Sequence, residues 1–488
     1  MLAMTLGKIA KVVGGQVAGD PDVLVDAPAY VDTRQAVPGG LFVAVVGEHV
    51  DGHDYAAGAH AVLGSRATEA PTVVVRDPVV ALGKLAAYVV RRLDATVLAV
   101  TGSQGKTGTK DYLARILAAA GSTVATSSNF NNELGVPLTV LRAHAETRFL
   151  VLEMGARRIG HIKYLCEIAP PHVAAVTNVG TAHIGEFGSR DSIAFAKGEI
   201  VAALPPEGTA VLNGGDPLVA AMASRTRARV LTFGPDDADV SERGAEVDDL
   251  GRVSFEIGHG GEWQPVHLQQ TGLHQAQNAL AAATMALAVG IPLPDIAAAL
   301  SAASAGSPMR MEMHERADGL IVVNDAYNAN PASTRAALES LSVIGRRRHR
   351  RTVAVLGEMR ELGRESYQGH VEVGRAAARL GIDIVVVVGE AAGGVVEGLE
   401  KVAAWSGDAL VAEDPDEAIG WLLDNVLAED VVLAKASHGI GLWVVADALL
   451  DPEAWRAAHP VESEVDSEAG SEVEPEVEPE VEGDGSTP

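Results

Sequence analysis

The sequence predicts an α/β protein built on parallel sheets and divided into three domains. The chain has 488 residues, and a domain typically takes about 150. Its hydrophobic fraction of 47% is enough to form large cores. Continuous apolar segments of strand length alternate with segments of helix length, which is typical of strands covered by helices on both faces. We place the domains at residues 1–94, 95–308 and 309–460, followed by a tail at 461–488.

The first segment, residues 1–94, mixes short strands and helices. The runs at 41–47 (LFVAVVG) and 71–77 (PTVVVRD) are interpreted as strands. Val79–Leu93 has the apolar spacing of a helix. No GxGxxG string occurs in this segment, so we expect a small α/β domain without that dinucleotide fingerprint.

The middle segment opens with a buried strand at 95–100, followed by the string TGSQGKT and a helix through Ala120 with Gly121 as its C-cap. Two more continuous apolar strands are predicted at 149–156 and 172–180. The stretch 208–270 is richer in turns and alternating residues, which predicts an antiparallel extension.

The third segment repeats the pattern of strand and helix. Four apolar runs, each separated from the next by a helix-length segment, predict a second, Rossmann-like sheet at 319–327, 352–359, 383–390 and 430–437. The basic cluster at 346–351 lies between a helix and a strand and is interpreted as a solvated loop.

The charge balance argues against a protein that binds nucleic acid. The net charge is −27, and the chain stays acidic even without residues 461–488, which hold no lysine or arginine. This tail has too few apolar residues to fold, so we expect it to be disordered. The single cysteine, Cys166, excludes internal disulfides.

The apolar segments also indicate where the protein works. Lys8 and Lys11 interrupt the early apolar stretch, so no secretory signal is predicted. The run Ala279–Leu293 is too short to cross a bilayer. We expect a cytoplasmic monomer with no membrane insertion.

The string that follows the strand at 95–100 is typical of a phosphate-binding loop. Glycines let backbone N–H groups surround phosphate oxygens, and the N-terminus of the next helix favours an anion. Lys106 would reach the β- and γ-phosphates and the Thr107 hydroxyl would ligate Mg²⁺. The candidate nucleotide-binding residues here are Gly102, Ser103, Gln104, Gly105, Lys106, Thr107 and Gly108. This is the shorter TGxxGKT form of the loop, and by itself it predicts only a nucleoside triphosphate.

Three later residues follow strands or lie on a helix near that site. Glu153 ends a strand and would complete an oxygen site for Mg²⁺ with Thr107, although a strand-end glutamate is often only a surface residue. His183 lies in a glycine-rich loop, where a lone histidine is often incidental. Lys197 lies in an apolar helical stripe after Asp191, a plausible N-cap. A lysine there must extend to water, pair with an acid, or lose its charge.

Taken in order, these motifs resemble the Mur ligases, ATP-dependent enzymes that form amide bonds in the synthesis of peptidoglycan precursors. The resemblance covers residues 5–450. TGSQGKT is similar to the family's phosphate loop and TSSNFNNELGVP (126–137) to its substrate loop, while TNVGTAHIGEFGS and AKGEI follow Glu153 in the family order. Two strings depart from the family: Gly108 stands where threonine is common, and Ser128 where glycine is usual.

The C-terminal strings resemble one group of these ligases, the group that adds the dipeptide D-Ala-D-Ala. These strings are DAYNANP (325–331) and LGEMRELG (356–363). DTR (32–34) and GEHVDGHDY (47–55) are similar to the uridine-binding domain of that group. KASHGIG (435–441) differs from the commoner KGSR.

The resemblance implies a reaction and a set of residues. The chain would join D-Ala-D-Ala to UDP-N-acetylmuramoyl-tripeptide through an acyl phosphate, using ATP and two Mg²⁺ ions, and closure of the C-terminal domain would assemble the site. The implied catalytic residues are Lys106, Glu153, His183 and Lys197. Lys197 would carry a carbamate derived from CO₂, and the implied Mg²⁺ ligands are Thr107, Glu153, His183 and Lys197. The implied adenine contact is Asn278. Arg310 and Asp325 are implied to hold the phosphate and the ribose of ATP. The implied substrate contacts are Thr33, Arg34, Asp51, His53, Asn131, Asn132, Asn328 and Asn330.

Other functions stay open at this point. The nearest is another ligase of the superfamily, which adds diaminopimelate or lysine, or extends folate with glutamate. A different class is a P-loop ATPase or switch that hydrolyses ATP and joins nothing.

Overall fold

A computed structural model describes residues 1–47, 49–127, 130–180, 184–304 and 306–459. Its architecture is mixed α/β with parallel sheets, so the predicted fold class is confirmed. The boundaries drawn at 94, 308 and 460 stay a prediction. The tail at 461–488 and His183 lie outside the described residues.

Residues 1–94 form a small sheet with the strand order β2-β7-β6-β5-β4, parallel except for the β2–β7 pair. The predicted strands at 41–47 and 71–77 are shorter in the structure. The Asp77 carboxylate caps the following helix by accepting the N–H groups of Val79 and Val80. The elements are β1 (Met4–Thr5), α1 (Leu6–Val13), β2 (Gln16–Ala18), β3 (Leu24–Val25), β4 (Ala29–Tyr30), β5 (Leu41–Val43), β6 (Ala61–Gly64), β7 (Thr72–Val74) and α2 (Pro78–Val90).

The middle segment forms a sheet with the order β16-β15-β14-β13-β12-β11-β8-β10-β9. Strand β8 lies between β11 and β10 and runs parallel to both, so the carboxyl ends of the three strands share one edge. The elements are β8 (Thr96–Thr101), α3 (Lys106–Ala120), β9 (Thr123–Ala125), α4 (Gly135–Val140), β10 (Phe149–Glu153), α5 (His161–Ile168), β11 (Val173–Val176), α6 (Ile184–Phe187), α7 (Arg190–Lys197), α8 (Glu199–Ala202), β12 (Thr209–Asn213), α9 (Pro217–Ala220), β13 (Arg229–Gly234), β14 (Val240–Val247), β15 (Arg252–His259), β16 (Glu262–Thr271), α10 (His274–Ala288) and α11 (Leu293–Ala302).

Two predictions for this segment were wrong in part. Within 208–270, strands β12 and β13 extend the parallel sheet, and antiparallel pairing begins only between β14 and β15. The helix that carries Lys197 is capped by Ser189, whose hydroxyl accepts the Ser192 N–H, and not by Asp191, which lies inside its first turn. That helix ends at Lys197, and α8 begins after Gly198.

The C-terminal segment forms a sheet with the order β17-β18-β22-β19-β20-β21, parallel except at β17. The chain passes from β18 through α12 to β19, and β22 later inserts between these two strands. The elements are β17 (Glu312–Glu315), β18 (Ile321–Asn324), α12 (Pro331–Arg348), β19 (Thr352–Gly357), α13 (Ser366–Arg379), β20 (Ile384–Val388), α14 (Gly394–Glu400), β21 (Asp408–Ala412), α15 (Pro415–Asn425), β22 (Val431–Lys435), α16 (Trp443–Leu450) and α17 (Pro452–Ala458).

The basic cluster at 346–351 is only partly a loop, so that interpretation needs correction. Its first three arginines form the last turn of α12, where positive charge favours the helix C-terminus. Arg348 also forms ion pairs with Asp249 and Glu315.

Apolar side chains pack on both faces of the two larger sheets. In β8, Val97 and Ala99 belong to one core cluster, and Leu98 and Val100 to the cluster on the opposite face. This is the reason why the strands are continuous apolar runs. Within the described ranges, no helix has the length and apolar character needed to span a bilayer.

Candidate active site

The phosphate loop connects the end of β8 to the start of α3. Gly105 adopts a φ of 76°, a backbone conformation that favours glycine. The Ser103 N–H donates to the carbonyl oxygen of Asn178 (3.1 Å), and the Gln104 N–H donates to the Asn178 Oδ1 (2.9 Å). No side chain of the described residues caps α3, so its first N–H groups are available to an anion. The loop lines a cavity of about 790 Å³.

A hydroxyl and a carboxylate meet beside this loop. The Thr107 Oγ1 donates to the Glu153 Oε2 (2.8 Å), and the Asn131 Nδ2 donates to the Glu153 Oε1 (2.7 Å). Glu153 is buried, and it arrives here because β10 and β8 are parallel neighbours. A hydroxyl and one carboxylate are oxygen ligands of the kind that suits Mg²⁺, which takes its other ligands from phosphates and water. The described residues contain no cluster of three or more His, Cys, Asp or Glu side chains suited to a metal.

Lys197 lines the same cavity, and its side chain is buried. No acidic group of the described residues lies within ion-pair distance of its amine. Burial, and secondarily the charge of Lys106, lowers the pKa of Lys197 well below its usual value. Of the three outcomes open to a lysine in an apolar stripe, the structure favours loss of charge.

Asn278 lies against the phosphate loop. Its Nδ2 donates to the Gln275 Oε1 (3.0 Å), and both residues are buried on α10. A Cβ on Gly105 would clash with the Asn278 Oδ1, and a Cβ on Gly108 would come within 2.6 Å of its Nδ2. A larger side chain at position 108 would therefore require the Asn278 amide to move.

We expect Gly108→Thr to raise the KM for ATP by about tenfold, because overpacking of about 1–3 kcal/mol would displace Asn278. Steady-state kinetics would measure the change. The matched control is Gly420→Thr, at a helical glycine whose added Cβ would have no atom of the described residues within 4 Å. An unchanged KM in Gly108→Thr would show that Asn278 does not depend on this space.

The C-terminal segment supplies the other side of the cavity. The Arg310 guanidinium lies 4.1 Å from the centre of the Tyr327 ring, and Asp325, Asn328 and Asn330 line the cavity with them. The Gln104 Nε2 of the phosphate loop donates to the Asn330 Oδ1 (2.9 Å). This hydrogen bond joins the middle and C-terminal segments across the site.

Four of the proposed substrate residues do not line this cavity: Thr33, Arg34, Asp51 and His53. Arg34 is bound to Asp32. The ring of His53 is buried between the Asp51 carboxylate, 2.6 Å from its Nδ1, and the Ser65 N–H, which donates to its Nε2 (2.8 Å). Both ring nitrogens of His53 are therefore engaged within residues 51–65, where the histidine connects Asp51 to Ser65. Asn132 lines the cavity but also accepts the Gly135 N–H at the start of α4.

Two residues of the cavity were missed from the sequence. Lys435 is buried and donates to the Asp325 Oδ2 (2.6 Å) and to the carbonyl oxygen of Asn328 (2.8 Å). Its position at the end of an apolar strand was the signal that could have identified it. His274 lies one turn before Asn278, and burial lowers its pKa. Its buried Nδ1 has no hydrogen-bond partner within the described part of the chain.

Known families match the two larger segments. Residues 100–286 match the Mur ligase middle domain, and residues 309–438 match the domain described as "Mur ligase, glutamate ligase domain". A curated relative from Mycobacterium tuberculosis, UDP-N-acetylmuramoyl-tripeptide–D-alanyl-D-alanine ligase, is 42% identical and covers 94% of this chain and 100% of its own length. The Escherichia coli relative of the same name is 38% identical, over 80% of this chain and 87% of its own.

Solved structures agree with these matches. MurF from Acinetobacter baumannii superposes with a TM-score of 0.81 at 32% identity, covering 92% of this chain and 99% of that one. MurF ligase from Thermotoga maritima, in complex with ADP, has a TM-score of 0.74 at 30% identity, covering 87% and 97%. The resemblance found in the sequence is thus confirmed: the chain belongs to the Mur ligase family, whose members are ATP-dependent ligases that form amide bonds.

Proposed function

We propose that this enzyme joins D-Ala-D-Ala to UDP-N-acetylmuramoyl-tripeptide and so completes the UDP-linked pentapeptide precursor of peptidoglycan. The names of relatives that align over 80–94% of the chain support this pair of substrates. The observation that carries the chemistry is the cavity shared by the phosphate loop, the Thr107–Glu153 pair, buried Lys197 and the loop 325–330. It brings the phosphate loop, a buried hydroxyl–carboxylate pair and the C-terminal segment together, which is the arrangement that the proposed reaction needs.

The phosphate loop would hold ATP. The N–H groups at the start of α3, which no described side chain caps, would surround the phosphates. The Lys106 Nζ now donates to the carbonyl oxygen of Gly102 (2.8 Å) and would turn to the β- and γ-phosphates. Asn278 would contact adenine, while Arg310 and Asp325 would hold phosphate and ribose from the C-terminal side.

Thr107 and Glu153 would hold one Mg²⁺, and a carbamate on Lys197 with His183 would hold a second. Bound Mg²⁺ offsets the repulsion between the tripeptide carboxylate and the γ-phosphate. The buried Lys197 amine supports the carbamate, because CO₂ reacts with a neutral amine and burial disfavours the charged form.

The reaction has two steps. An oxygen of the tripeptide carboxylate attacks the γ-phosphorus, ADP leaves, and an acyl phosphate forms. The amine of D-Ala-D-Ala then attacks the acyl carbon, the carbon–oxygen bond to phosphate breaks, and the amine loses a proton. The residues of this chain mainly position the reactants, which can contribute about 7–11 kcal/mol.

The C-terminal segment would keep water away from the acyl phosphate. The Gln104–Asn330 hydrogen bond already links it to the phosphate loop, so we propose that closure brings these two segments together around both substrates. We propose that the enzyme acts as a monomer, since segments of one chain are enough to form both sides of the cavity. We also propose a cytoplasmic location, because the proposed substrates are ATP and a nucleotide-linked precursor.

The test is an assay of the purified chain with ATP, Mg²⁺, UDP-muramyl peptides and different amine substrates. We expect a UDP-linked pentapeptide, detected by mass spectrometry, with one ADP and one phosphate released for each product. Amide formation with free diaminopimelate, lysine or glutamate in place of D-Ala-D-Ala would contradict the proposal. Phosphate release that is independent of D-Ala-D-Ala would instead indicate an ATPase.

A further inference from the structure

A crevice lies where the loops that follow β19 and β22 meet. The Ser437 N–H donates to the carbonyl oxygen of Glu358 (3.0 Å), and the Arg360 N–H donates to the Ser437 Oγ (2.9 Å). These loops follow the carboxyl ends of neighbouring parallel strands, beside the point where the strand order changes direction. Open α/β sheets bind ligands in crevices of this kind.

Arg360 is held in this crevice, but only part of its guanidinium group is hydrogen-bonded. Its Nε donates to the Glu358 Oε2 (3.0 Å), while half of its side chain stays exposed to solvent. A Cβ on Gly439 would clash with the Arg360 Nη1, so the glycine makes room for the guanidinium. Within the described residues its two terminal nitrogens have no hydrogen-bond partner. They can receive a planar anion through two parallel hydrogen bonds.

The other lysines and arginines that line the cavity have different surroundings. Lys106 lies in the phosphate loop, and Lys197 is buried with a lowered pKa. Lys435 is buried and already donates to Asp325 and Asn328. Arg310 packs on the Tyr327 ring beside the nucleotide residues. Arg157, on the middle segment, lies 3.5 Å from the Glu361 carboxylate.

We propose that Arg360 binds the C-terminal carboxylate of the incoming dipeptide, with Glu358 and Gly439 holding its guanidinium in place. This inference rests on the proposed function. The reaction consumes the amine of the dipeptide, so the carboxylate is the charged group that remains. Its partner must be a cation that does not bind the phosphates of ATP. The sequence at 435–441 lacks the arginine of the commoner KGSR string, whose place is taken by His438. Arg360 supplies the positive charge from the neighbouring loop.

The test compares D-Ala-D-Ala with its C-terminal amide, D-alanyl-D-alaninamide. We expect the wild-type enzyme to prefer the acid over the amide by about 10- to 100-fold in kcat/KM, the range of a charge-assisted pair. In Arg360→Gln the kcat/KM for the acid should fall by the same factor, and the preference should approach one. The KM values for ATP and the UDP-tripeptide should stay within about twofold of wild type, and Arg360→Lys should keep part of the preference.

Arg364→Gln is the matched control, because Arg364 is exposed on the same loop and does not line the cavity. It should keep the full preference for the acid. The inference is overturned if the wild-type enzyme does not prefer the acid, if Arg360→Gln keeps that preference, or if Arg157→Gln abolishes it instead. A wild-type enzyme that forms no product with D-Ala-D-Ala would refute the proposed function itself, and this inference with it.

Discussion

Lys197→Ala is expected to lower kcat by at least about 100-fold while the protein stays folded. The proposed carbamate would be lost, and removing one group that stabilises charge in a transition state typically costs about 10²- to 10³-fold. The fold should survive because the buried amine forms no ion pair within the described residues, and burying it disfavours its charge. Steady-state kinetics and a thermal unfolding curve would separate the two effects.

The carbamate has a readout that does not depend on activity. Protein equilibrated with ¹³C-bicarbonate should show a carbamate carbon signal by NMR that disappears in Lys197→Ala. Short carboxylates such as acetate should partly restore the activity of this variant by filling the vacated space. The matched control is Lys84→Ala, at an exposed lysine of α2, which should keep both signal and activity. Normal turnover in Lys197→Ala would refute the proposed role.

The features of the site that could be predicted from the sequence are those fixed by local order along the chain. A strand, a glycine loop and a helix follow one another within residues 95–120, so their geometry is set by neighbouring residues. Glu153 could be placed near Thr107 because the carboxyl ends of parallel strands meet at one edge of the sheet. The strands themselves could be predicted from continuous apolar runs, because both faces of the larger sheets are covered.

Contacts between distant segments could not be predicted in this way. Gln104 and Asn330 are separated by more than two hundred residues, and nothing in either local pattern indicates that their side chains meet. The capping choice between Ser189 and Asp191 depends on where the helix begins, and both residue types are good caps. Asp191 instead places its charge in the first turn, where the helix dipole favours an acid.

The Lys435–Asp325 pair is the clearest example of a contact that depends on tertiary structure, because it joins the ends of the adjacent strands β22 and β18. We expect Lys435→Met to destabilise the C-terminal segment by about 3–5 kcal/mol, since the Asp325 carboxylate would stay largely buried without its partner. Ligase activity should fall with it, because Lys435 also holds the carbonyl oxygen of Asn328 at the cavity. Unfolding can be followed by the fluorescence of the tryptophans of this segment, Trp405, Trp421, Trp443 and Trp455.

The matched control is Lys401→Met, which removes a lysine that pairs with Glu397 on the surface of the same segment. An exposed pair of this kind contributes less than about 1 kcal/mol, so the unfolding midpoint should barely move. Adding Asp325→Asn to Lys435→Met neutralises the buried carboxylate and should recover about half of the lost stability. Activity should not return, because neither the lysine that orders the 325–330 loop nor the carboxylate proposed for ribose is present. Equal destabilisation by Lys435→Met and Lys401→Met would show that burial of the first pair has no special energetic weight.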